Sequence, residues 1–164
     1  MLMRKLIFSL ALLAISGFAY AQKQVTIKGG TVVSVEAVKN VRATEVHVGQ
    51  NVDFKVSRDV IVDGVVAIPV GTIVKGNVYE AKRSTAFGTK GRLGIKLRYL
   101  NLPSGDVVNF ASSDVYIQGK NRTAISVIVF CFTWLPFPCG SRAELTTGVE
   151  YDATVANNTT VSIE

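Results

Sequence analysis

The sequence predicts an all-β fold: a small closed or partly open β-barrel of about ten short strands, with one apolar insertion near its C-terminal third. Three observations carry this. Period-two alternation of apolar and polar residues runs through most of the chain, while helical periodicity is almost absent. Turn residues cut the alternating stretches to strand length. One uncharged stretch, residues 123–141, breaks the pattern. At 164 residues, 48% hydrophobic and 18% charged, the chain has room for one domain and too much apolar content for a disordered protein. One His and two Cys exclude a His-rich metal site and a dense disulfide scaffold.

The opening of the chain reads as an export signal. Arg4 and Lys5 form a positive region, Leu6 to Phe18 an apolar one, and Ala19-Tyr20-Ala21 a small-x-small cleavage site. The apolar run is short for a membrane span, which needs about 20 residues. Residues 1–21 are therefore expected to be removed, leaving 22–164 as a single barrel domain in the periplasm or associated with the outer membrane.

The expected strands are 24–28, 31–38, 51–56, 59–63, 65–68, 72–81, 93–102, 106–110, 113–118, 149–155 and 159–163. Val52, Phe54 and Val56 alternate with Asp53 and Lys55, and Ile95, Leu97 and Tyr99 with Lys96 and Arg98, so each set is expected to face the core. Asp63-Gly64 between two β-branched runs signals a two-residue hairpin. Pro103-Ser104-Gly105 and Asn157-Asn158 supply further reversals. Gly30, Gly71 and Gly148 each stand before a strand, a repeated approach turn. Closure of the sheet is preferred because it removes exposed edges.

The charge is concentrated. Arg4 and Lys5 leave with the signal and take the net charge from +6 to +4. Residues 81–105 alone hold Lys82, Arg83, Lys90, Arg92, Lys96 and Arg98, and no acid. Two readings fit: a solvated hairpin, or a patch that attracts an anionic polysaccharide or lipid through Lys82, Arg83, Lys90 and Arg92. Nucleic acid is not among the expected partners.

Residues 123–141 contain no charge and lie between Arg122 and Arg142. The centre, Ile125 to Leu135, is apolar on both faces, and Pro136 and Pro138 end any regular element. A helix over 123–135 would reach about 20 Å, short of a bilayer core of about 30 Å. The segment is either a buried core element or a contact element, with Phe132, Trp134 and Phe137 as its apolar contacts. Cys131 and Cys139 can join in a disulfide only if the prolines fold the chain back, since eight helical residues would hold them about 12 Å apart.

No constellation points to catalysis. His47 stands in a turn-like setting with no marked nucleophile, and the acids are scattered singly. The glycines around Lys90 are in the wrong order for a phosphate-binding loop and lead into a strand. The sequence is therefore read as non-enzymatic, with no cofactor and no metal.

One resemblance bears on function. The chain carries Gly29-Gly30-Thr31-Val32-Val33, then Val48-Gly49-Gln50-Asn51-Val52, Asp59 to Gly64, Ile68-Pro69-Val70-Gly71-Thr72 with Gly76, the basic loop, and Leu102-Pro103-Ser104-Gly105-Asp106. That order resembles the C-terminal β-barrel of the TrbI-like family of conjugation and type IV secretion scaffolds. In that family an apolar excursion leaves the barrel after the Pro-x-Gly turn and crosses the outer membrane; 123–141 falls in a comparable place. The resemblance implies a cell-envelope module that contacts an envelope protein or the outer-membrane surface. The alternative is a periplasmic binding protein for an anionic ligand, using the basic loop over 82–98.

Overall fold

A computed structural model describes residues 23–85, 90–119 and 141–163. Twelve strands lie among them: β1 Lys23–Ile27, β2 Val32–Ala37, β3 Val41–Arg42, β4 Asn51–Val56, β5 Val60–Val62, β6 Val65–Ile68, β7 Ile73–Lys82, β8 Arg92–Asn101, β9 Val107–Gln118, β10 Glu144–Leu145, β11 Glu150–Val155 and β12 Thr159–Ile163. The described residues contain no helix.

Six strands close into an antiparallel barrel in the order β11-β2-β4-β7-β8-β9. The other six form three two-stranded ribbons: β1 with β12, β3 with β10, and β5 with β6. The expected fold class is thus the observed one, with half of the strands forming the wall and half flanking it. Closure depends on a short seam, where Thr154 and Val155 of β11 face Ala111 and Phe110 of β9. Side chains and loops extend it. Thr154 N–H donates to Ser113 Oγ at 2.8 Å, and Ala156 N–H donates to the Asn109 carbonyl at 2.8 Å.

The core arises from the alternation. Val52, Phe54 and Val56 of β4 are buried, as are Val74 and Val78 of β7 and Leu93, Ile95 and Leu97 of β8. Gly76 occupies the inward site on β7 between Val74 and Val78. A Cβ there would lie 2.9 Å from Ile95 Cγ2 and 3.1 Å from Phe54 Cε2. The missing side chain is what lets the Phe54 ring fill the barrel, a small-against-large fit common in narrow barrels.

The turns behave as their chemistry requires. Asp63 and Gly64 both take positive φ, 52° and 77°, as a two-residue hairpin with right-handed twist demands. The three glycines of the repeated approach turn, Gly30, Gly71 and Gly148, share the same positive-φ geometry.

Three expectations are corrected. Residues 106–110 and 113–118 are one strand, β9, bent by a bulge rather than broken. The two-residue strands β3 and β10 were not expected, because two residues cannot display a period. Tyr99 does not face the core. Arg98 is skipped in the register with β7, where Lys75 faces Tyr99 and Gly76 faces Leu97. That one-residue slip reverses the facing of the next residues along β8, so Leu100 is buried and Tyr99 is only half-buried. The expected signal over 1–21 and nearly all of the apolar segment 123–141 lie outside the described residues.

Candidate functional site

The β7–β8 hairpin stands at one end of the barrel. Its last paired residues are Lys82 and Arg92, directly opposite one another. Like charges in that relationship repel. Glu80 offsets them: its carboxylate lies 3.6 Å from Lys82 Nζ and 3.7 Å from Arg92 Nη1, and its side chain is only 21% exposed. Beyond the hairpin the amine of Lys90 donates to Gln118 Oε1 at the end of β9. Arg83 and Thr85 complete the lining of a cleft of about 520 Å³ that also holds Lys82, Lys90 and Arg92.

The four basic residues singled out by sequence are therefore brought to one cleft. With Glu80 at its edge, the group carries a net +3. The cations are exposed, with Lys82 68% and Arg92 43% accessible, so their attraction for an anion is screened by water and salt. The cleft can hold an anion by charge. Glu80 and Gln118 were missed as members of the site. Glu80 lies one residue before the acid-free stretch, and only strand pairing shows that it reaches the hairpin's charges.

The same end carries the two roots of the apolar segment. Gly91 N–H donates to the Ser141 carbonyl at 3.2 Å, and Gly119 N–H donates to the Gly91 carbonyl at 3.0 Å. One residue beyond Ser141, Arg142 leads into Ala143, whose carbonyl accepts from Ala43 N–H at 3.1 Å, next to the β3–β10 ribbon. Space is tight here. A Cβ on Gly91 would lie 2.9 Å from Ala143 N, and one on Gly119 would collide with the Ser141 carbonyl. Phe132, Trp134 and Phe137, and Cys131 and Cys139, lie outside the described residues, so this end is defined by where their segment leaves and returns.

His47 sits in an exposed turn, its N–H donating to Gln50 Oε1 at 3.1 Å, and Glu45 pairs with Arg42 at 3.6 Å. Among the described residues no cluster of His, Cys, Asp and Glu is arranged to hold a metal ion. No protein-family model matches the chain, and no curated protein is significantly similar to it.

Proposed function

We propose that this protein is an exported, non-enzymatic β-barrel module of the cell envelope that docks on a membrane surface or envelope protein through one end of its barrel. The observation that carries the reading is the sharing of Gly91: its amide and carbonyl tie the basic hairpin to both roots of the uncharged segment. Positive charge and apolar length thus start from one patch, the combination by which proteins bind anionic interfaces, charge attracting the head groups and apolar side chains supplying burial. The resemblance to the TrbI-like barrel adds support, since there too an apolar excursion comes after the Pro-x-Gly turn.

The test is Val129→Asp, read by thermal melting and by envelope fractionation. The expected result is a barrel that melts like the unaltered protein but no longer sediments with membranes or partner. An unfolded variant would make 123–141 a core element, because a buried unpaired charge is strongly destabilising. A folded variant that fractionates normally would also overturn the proposal.

The cationic cleft favours a second reading, a periplasmic protein that binds a soluble anionic ligand through Lys82, Arg83, Lys90 and Arg92. That reading expects no membrane or complex association in the unaltered protein, so the same fractionation separates the two.

A further inference from the structure

A second polar hollow lies on the outer wall of the barrel, away from the hairpin end. Its origin is the irregularity at Arg98. The slip against β7 and the slip against β9 coincide there: Leu97 faces Ser113 whereas Tyr99 faces Asn109, so three residues of β9 lie opposite Arg98 alone. Bulges of this kind bend a strand and redirect side chains. The result is an open hollow of about 610 Å³ lined by Asn51, Lys96, Arg98, Tyr99 and Asn109, with the core residues Leu97 and Phe110 also reaching it. That volume is within the range of about 300–1,000 Å³ common for small-ligand sites.

The lining is rich in donors and contains no carboxylate. Lys96 and Arg98 are exposed, and neither joins an ion pair among the described residues. Lys75, whose backbone faces Tyr99, is by contrast neutralised by Asp53 at 2.7 Å. Asn51 Oδ1 accepts from Asn77 Nδ2 at 3.2 Å, which leaves the Asn51 NH₂ as the unused half of that carboxamide among the described residues. The slip that removed Tyr99 from the core also leaves it lining this hollow.

We infer that this hollow is a binding site for a carboxylated saccharide. The two cations suit the carboxylate, and an Arg can hold it through two parallel hydrogen bonds. The carboxamides of Asn51 and Asn109 suit hydroxyl groups, since each can donate and accept. An aromatic ring such as that of Tyr99 can stack on the C–H side of a sugar, and its hydroxyl can hydrogen-bond. A bare inorganic anion would use only the cations. The site is independent of the docking end: it shares no residue with the hairpin cleft.

The experiment is titration of the exported protein, isotope-labelled for NMR, with trigalacturonate, with maltotriose and with inorganic phosphate. Trigalacturonate is expected to shift the backbone amides of Lys96, Arg98, Tyr99 and Asn109. Arg98→Gln is expected to weaken binding by about tenfold or more, as the loss of a charge-assisted bidentate contact does. Tyr99→Leu should weaken it by about threefold or more through loss of the ring. Lys28→Gln, an exposed charge outside both clefts, should leave it unchanged. Lys96→Gln provides a second reading of the cationic contribution should Arg98→Gln perturb the fold. The inference fails if trigalacturonate moves none of these amides, if both cation variants bind as well as the unaltered protein, if maltotriose binds equally well, or if equimolar phosphate displaces the saccharide completely.

Discussion

The N–H of Gly119 donates to the carbonyl of Gly91 across 3.0 Å, joining the last described residue before the apolar segment to the residue between Lys90 and Arg92. Two features separated by almost thirty residues of sequence are thereby one piece of backbone. The consequence is structural. Gly91→Ala puts a methyl 2.9 Å from Ala143 N and 3.3 Å from the Lys82 carbonyl, all backbone that cannot swing away. The expected cost is about 1–3 kcal/mol by urea denaturation, the range for overpacking. A cost below about 0.5 kcal/mol, the scatter of neutral surface changes, would mean that the clasp is loose.

Inside the barrel, Phe54 and Gly76 depend on one another. Phe54 is fully buried and meets Tyr151 edge-on, ring centres 6.5 Å apart at 88°. Phe54→Ala should destabilise by about 3–5 kcal/mol. Gly76→Ala should cost about 1–3 kcal/mol for the opposite reason, too much volume. The pair should be non-additive: truncating Phe54 removes one of the two closest contacts of the methyl at 76 and opens space into which Ile95 can shift, so the double variant should cost less than the two singles together. Lys55→Ala, on the outer face and paired with Glu36 at 2.9 Å, should cost under about 1 kcal/mol.

The seam gives a third test. Ser113 is 5% exposed, and its hydroxyl accepts from Thr154 N–H while donating to the Ala111 carbonyl at 3.0 Å. Ser113→Ala removes the acceptor and strands a part-buried amide. About 1–3 kcal/mol should be lost, and the Thr154 amide should exchange with solvent hydrogen faster than its neighbours on β11. Unchanged exchange would show that the ladder to β9 suffices without the hydroxyl.

Glu80 separates stability from binding. Glu80→Gln leaves Lys82 and Arg92 opposed with no counter-charge among the described residues. Because these groups are largely exposed, the loss of stability should be under about 1 kcal/mol. Binding to anionic vesicles should strengthen instead, with a steeper dependence on salt, since the cleft gains one net positive charge. Weaker binding in the variant would mean that Glu80 holds the cations in their working positions.

At alkaline pH the tyrosines should set the limit. Burial raises the Tyr151 phenol above its usual 10.0. The Tyr79 phenol is raised too, first by desolvation, then by the charges of Asp114, Tyr116 and Glu80. A phenol whose folded value is raised binds its proton more tightly in the folded state, so its contribution is complete below the unfolded value and declines as pH rises past it. Stability should therefore be level up to about pH 9.5 and fall beyond about pH 10. Tyr151→Phe should flatten part of that fall in melts taken between about pH 9 and 11. An unchanged profile would assign the decline to other groups.

The alternation of Val52, Phe54 and Val56, the Asp63-Gly64 hairpin and the glycines before strands were all legible in the sequence. Each depends on neighbours only one or two residues away: a strand alternates because consecutive side chains point to opposite faces, and a positive φ selects its residue on the spot. The all-β class comes from the same local rules. What the tertiary structure decided depends on partners far along the chain. The slip at Arg98 exists only between β8 and its two neighbours, and it removed Tyr99 from the core in favour of Leu100. Glu80 joined the basic hairpin through cross-strand pairing, and Gly119 and Ser141 met at Gly91 through backbone hydrogen bonds. Such contacts carry no periodic signature, because register and close approach are set by how strands bend around a shared core, and no short stretch of sequence contains both sides of that contact.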